Sequence, residues 1–171
     1  LGKIAEISDS GVEVHFFTGN HDVWVFDYLP SELGMTLHRD EFITDLFGKR
    51  FFLAHGDNCD LTDKGYLFLR KIFTNKVLQW MFARLHPNFS LSFGHNWSKH
   101  SRISKGISGE GFKGTSKEGM FIFAESKLKT ESFDYFVFGH RHVLVDHPIG
   151  ESSRFINLGD WINYFSYGVF D

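Results

Sequence analysis

The chain has 171 residues, enough for one domain with a sizeable core. A formal charge of −3 excludes the global electrostatic pull that nucleic-acid binders use, and a single cysteine, Cys59, excludes a disulfide framework and fits a reducing compartment. No uninterrupted apolar run approaches the ~18 residues of a transmembrane helix. Hydrophobic residues make up 42% of the chain, and its 21 Phe offer more apolar surface than a core alone requires.

Residues 1–8 read as the end of a helix with Ile4 and Ile7 on one side. Residues 12–18 alternate and then turn fully apolar, as a strand entering a core does. They run into Gly19-Asn20-His21-Asp22, which delivers an amide, an imidazole and a carboxylate in consecutive positions. A short helix at 31–33 and a strand over 34–38 follow; His38 reads as structural or surface. Residues 42–46 and 50–55 form a hairpin around Phe47-Gly48-Lys49, and Asp40, Glu41 and Asp45 beside it read as a solvated face. The second strand ends in His55-Gly56-Asp57, a repeat of the first plan. Cys59, just beyond, reads either as a small core residue or as a metal ligand.

Residues 62–85 read as one helix, capped by Thr62 or Asp63 and stopped before Pro87. Apolar positions wrap most of its circumference, whereas a surface helix carries a stripe of about 100°. Either both sides are packed, or one side meets a greasy ligand or a bilayer, where Arg70, Lys71, Lys76 and Arg84 suit an anionic surface. Residues 89–97 are aromatic and less regular. Residues 97–117 are basic and Gly-rich, which predicts a mobile loop and the start of a helix. That helix runs over 117–128, with Glu118 and Glu125 on the side opposite its apolar positions. Residues 133–138 form a strand feeding Gly139-His140-Arg141-His142, the third strand-end cluster. Residues 143–148 and 154–158 pair antiparallel around Gly150, and 163–170 finish as an aromatic strand. Each cluster reads as a buried strand presenting polar groups on a Gly-permitted turn, where α/β scaffolds place their chemistry.

The spelling of the three clusters resembles the calcineurin-like metallophosphoesterases, in the blocks G-N-H-D, a lone His and G-H-x-H. The His55-Gly56-Asp57 block with Thr62-Asp63-x-Gly65-Tyr66, together with Asn157-Leu158-Gly159-Asp160-Trp161, is similar to the branch that cleaves UDP-2,3-diacylglucosamine in lipid A biosynthesis. The resemblance implies a four-layer α/β/β/α sandwich in a single domain over 1–171, with a helical lid inserted at 62–110. It also implies two divalent metals, Mn most readily, with Fe or Zn as alternatives. One is held by Asn20, His55 and His140 with a bridging Asp; the other by that Asp, an opening D-x-H pair and His142. The D-x-H and G-D-x-x-D blocks are absent from this chain, so the reading expects a missing N-terminal segment of ~60–80 residues. It further expects at most one well-held metal here and impaired two-metal chemistry.

By the same resemblance His21, oriented by Asp22, protonates the leaving group or stabilises the transition-state phosphate. Asp63 orients the substrate, Lys99 and Arg102 meet the diphosphate, and Trp80 and Phe82 meet acyl chains. The partner implied is a lipid-linked UDP-sugar, met at the inner face of the cytoplasmic membrane by a cytoplasmic, peripheral protein; no nucleic acid is implied. Two other readings stand beside it. One is a metallophosphoesterase acting on another phosphomonoester or diester. The other is an inactive chain that binds lipid or self-associates through exposed sheet edges.

Overall fold

The computed structural model describes residues 1–62, 64–105 and 111–171, with side chains described except over 97–105. Among the described residues thirteen elements follow one another in a mixed α/β pattern. Helix α1 (Gly2–Asp9) leads to β1 (His15–Phe17), α2 (Tyr28–Leu33) and β2 (Thr36–His38). The hairpin β3 (Phe42–Leu46) and β4 (Lys49–Ala54) follows, closed where Phe47 and Gly48 both take positive φ. Helices α3 (Lys64–Phe73), α4 (Lys76–Phe82) and α5 (Pro87–Lys105) form an excursion before α6 (Gly119–Leu128). Strands β5 (Tyr135–Phe138), β6 (Leu144–Ile149) and β7 (Ser153–Leu158) follow.

β1 and β2 pair in parallel as a two-stranded sheet, and the other strands form a five-stranded sheet in the order β3-β4-β5-β7-β6. Its centre, β4-β5-β7, is parallel, with antiparallel β3 and β6 at the edges. Strand periodicity explains the core. Phe52, Phe136 and Phe155 lie in register across the three central strands, as do Ala54, Phe138 and Asn157 two residues on. All six are buried on one face, and α6 covers that face with Met120, Phe121 and Ala124. Each buried Phe contributes roughly 1.5–3 kcal/mol by leaving water. The three parallel strands end on one edge, and the polar clusters emerge there.

Three expectations change. The helix predicted over 62–85 is broken in two at Thr74-Asn75. Asn75 is extended and its side-chain oxygen accepts the N–H groups of Val77 and Leu78 at 3.0 and 3.1 Å, so a local cap outcompetes continuation. The irregular stretch predicted over 89–97 and the first part of the loop predicted over 97–117 are instead the 19-residue α5, opened by Pro87 at a position that needs no N–H donor; residues 106–110 of that loop lie outside the described residues, and 111–114 are without regular structure. The strand predicted over 163–170 does not form. Asp160 accepts backbone N–H groups from Ile162, Asn163 and Tyr164, folding the segment into a turn, and Phe165 then takes φ of 49°.

The alternatives left open for the excursion resolve toward exposure. Neither α3 nor α4 has a buried residue, and Phe68, Val77, Trp80 and Met81 are all more than half exposed. Cys59, by contrast, is buried, and burial pushes its thiol up to about 12, so it stays protonated at neutral pH as a core residue.

Candidate metal and substrate site

β4 and β5 are parallel neighbours, so the residues after their ends meet side by side. The Gly139 N–H donates to the His55 carbonyl at 3.0 Å, extending the ladder one step beyond the strands. Asn157, buried at the end of β7, donates its side-chain N–H to the Gly139 carbonyl at 2.8 Å. These bonds fix the backbone on both sides of the imidazoles. His140 itself adopts φ of 59°, a left-handed conformation uncommon outside Gly, while Gly139 has ordinary φ. The turn is therefore held by its hydrogen bonds and not by the freedom of its glycine.

The rings of His55 and His140 meet edge to face, with centroids 5.3 Å apart. Asn20 Oδ1 lies 3.3 Å from His55 Nε2. Asn20 arrives from the turn after β1, where Asp22 Oδ1 accepts the Gly19 N–H, so the carboxylate shapes the turn that carries Asn20 and His21. Gly19 serves by close approach. A Cβ there would sit 2.5 Å from His55 Cε1. Two imidazoles and an amide oxygen thus come from three separate strand ends to one edge. Among the described residues no cluster of three or more His, Cys, Asp or Glu is grouped to hold a metal, and this set reaches three donors only through the Asn20 amide.

Burial lowers the pKa of His55 from its ordinary 6.5; Asp57 and Asp22 pull it up, while His21 and His142 push it down. His55 is therefore held neutral, the form in which imidazole accepts a cation. His142 stands apart, largely exposed, with Nδ1 3.8 Å from Asp160 Oδ2. Asp160 is held at about 2 by the Asn163 backbone N–H and the further amides of its turn. Glu118, expected opposite the apolar side of its helix, is buried, 3.8 Å from the Arg141 guanidinium between the two histidines.

Trp80 and Phe82 lie together on a groove of about 940 Å³, with Val23, Trp24, Arg39 and Leu91 among its walls. Trp24 packs edge to face on Phe82 at 4.7 Å, and the Arg84 guanidinium lies 3.4 Å over the Trp80 ring. Asp63 and the side chains of Lys99 and Arg102 lie outside the described residues. Sequence reasoning gave no site role to Asp57, Tyr66, Arg70, Asn157 or Asp160, which shape the site from behind. Asp57, Tyr66, Asn157 and Asp160 fall within the similar blocks, and that was their only signal in the sequence.

No protein-family model matches the chain. It is 39% identical over 184 aligned positions to the UDP-2,3-diacylglucosamine hydrolase of Porphyromonas gingivalis, an alignment covering 100% of this chain and 70% of that protein. The proteins of the same name from Aeromonas salmonicida and Neisseria meningitidis serogroup C are 29% and 27% identical, over 92% and 96% of this chain. The chain spans 61% and 66% of the length of those two relatives.

Proposed function

The chain belongs to the UDP-2,3-diacylglucosamine hydrolase family, a branch of the calcineurin-like metallophosphoesterases, and from that premise we propose what its own residues do. The reaction is hydrolysis of the diphosphate of UDP-2,3-diacylglucosamine, giving UMP and 2,3-diacylglucosamine 1-phosphate. The observation that carries this reading is a juxtaposition. The amide and two imidazoles at the sheet edge are joined, through the Val23-Trp24 segment, to an apolar groove large enough for acyl chains.

Asn20, His55 and His140 would hold a divalent cation, and a neutral imidazole with an amide oxygen fits Mn²⁺, with Fe²⁺ or Zn²⁺ as alternatives. His142 would serve a second cation. Such ions supply Lewis acidity at phosphorus and make water more acidic. His21, exposed and next to Asn20, donates a proton to the leaving oxygen while Asp22 holds the turn beneath it. Asp63 orients the sugar, and Lys99 and Arg102 neutralise the diphosphate. Residues 62–110 act as a lid over the single domain, with Trp80 and Phe82 gripping an acyl chain. The exposed apolar side of that lid rests on the inner face of the cytoplasmic membrane.

The test is UMP release from UDP-2,3-diacylglucosamine with Mn²⁺. His55→Ala is expected to lower kcat/KM by about 100-fold. Trp80→Ala with Phe82→Ala is expected to raise KM about tenfold, because the groove supplies binding shared by ground and transition states. A wild-type chain that binds Mn²⁺ and hydrolyses another phosphoester while leaving this lipid intact would be a phosphoesterase of another substrate.

A further inference from the structure

Arg70 and its partners connect the groove to the sheet edge. Arg70 lies on α3 with its side chain only 21% exposed. Its Nε donates to Asp57 Oδ2 at 3.1 Å, and its Nη2 donates to the Arg39 carbonyl at 3.1 Å and to Asp40 Oδ1 at 3.4 Å. The Asp57 side chain is 3% exposed and sits two residues after His55, beyond Gly56 with φ of 107°. It also accepts the Tyr66 hydroxyl at 2.5 Å. Arg39 continues the path. Its Nη1 and Nη2 donate to the carbonyls of Val23 and Val25 at 3.2 and 2.6 Å, just beyond Asn20. A second tie runs in parallel, since the Trp24 indole N–H donates to the Phe73 carbonyl at the end of α3 at 2.8 Å.

We propose that Arg70 is a positioning residue that locks the turn after His55, the turn bearing Asn20 and helix α3 into one mechanical unit. The inference rests on the reading of Asn20, His55 and His140 as metal ligands. Only a guanidinium serves this purpose, because two of its nitrogens satisfy partners on different segments at fixed geometry, whereas an ammonium is a single point. The carbonyls held by Arg39 belong to Val23 and Val25, and Val23, Trp24 and Arg39 also line the groove. Whatever fills the groove therefore presses on the segment that aims Asn20. Arg70 holds Arg39 through its carbonyl, so loosening Arg70 loosens the segment that aims Asn20.

The test uses the full chain, with amide hydrogen exchange and Mn²⁺ titration on Arg70→Lys and on the control Lys64→Ala, at an exposed position of the same helix. Arg70→Lys is expected to speed exchange about tenfold over both 19–26 and 64–73, with the β5 and β7 amides unchanged. It is also expected to weaken Mn²⁺ about tenfold. Lys64→Ala, which leaves the guanidinium bridge and its partners in place, should keep both values within about twofold. Faster exchange confined to 64–73, or unaltered Mn²⁺ affinity, overturns the coupling. If Arg70→Lys unfolds the sheet, Asp57→Asn with Arg70→Gln leaves no unpaired buried charge and is judged by the same criteria. A wild-type chain that fails to bind Mn²⁺ sinks the ligand reading, and the exchange pattern then decides the coupling on its own.

Discussion

Close approach sets the tightest tolerance at the residue scale. Gly19→Ala introduces a methyl 2.5 Å from His55 Cε1 and 2.6 Å from its Nε2, so the ring must turn away from Asn20. The expected result is a loss of Mn²⁺ affinity of about tenfold or more, read by titration, with a smaller effect on the thermal midpoint. A second residue-scale device is remote from the ligands. His15 Nδ1 and His38 Nε2 are 2.8 Å apart, and both rings stack on Phe42. One nitrogen donates and the other accepts, so the bond fails when both rings are charged. Burial first, and His15 second, hold the His38 pKa below its ordinary 6.5. The unfolded chain then binds a proton at His38 that the folded chain refuses, so the contribution of His38 to stability is level above pH 6.5 and falls as pH drops from 6.5 through the lowered value. His38→Phe should keep the stack and flatten the fall in urea midpoint between about pH 6.5 and 5. His55, lowered for a similar reason, leaves a residual slope of the same sign.

Helix ends decide more than helix middles at the element scale. Phe73 closes α3 with a carbonyl that accepts both the Trp24 indole at 2.8 Å and the Gln79 side chain at 2.7 Å. The break at Asn75 lets α4 fold back so that Phe82 meets Trp24. Trp24→Phe keeps an aromatic ring against Phe82 and removes the N–H donor. It should lower the opening free energy of α3 by about 1 kcal/mol, measured by amide exchange over 64–73. The apolar composition of residues 62–85 was readable, but the break was not, because Asn75 caps only once the chain has room to turn. The three ligand turns were readable because each is local: an apolar strand, then Gly and polar groups. The reasons for their glycines were not. Gly56 takes positive φ, Gly19 makes room for a ring, and at 139–142 the left-handed residue is His140.

For the whole molecule, the distribution of apolar surface matters most. The sheet face under α6 absorbs Phe52, Phe136, Phe138 and Phe155 completely, yet Phe68, Trp80, Met81, Phe89 and Leu91 stay more than half exposed on the helical excursion. No helix among the described residues is long and apolar enough to cross a membrane. On the proposed reading this surface, carried on the same helical excursion as Lys71, Lys76 and Arg84, meets an anionic lipid headgroup layer. Flotation with vesicles containing anionic lipid should recover the chain, and Trp80→Ser with Leu91→Ser should reduce the bound fraction severalfold. Recovery unchanged by those substitutions would assign the exposed surface to another role.

The sequence by itself determined the strand-end chemistry and the family resemblance, since a strand, its turn and the groups on that turn are consecutive in the chain. The parallel order β4-β5-β7 then brings His55, Gly139 and Asn157 to one edge. Only the tertiary structure decided what holds those groups still. Asp57, Arg70 and Arg39 are separated by 13 to 31 residues, and their charge-assisted bonds exist only after three segments have packed. Local pattern cannot encode such a contact, because a buried carboxylate and a distant guanidinium find each other through the shape of the fold.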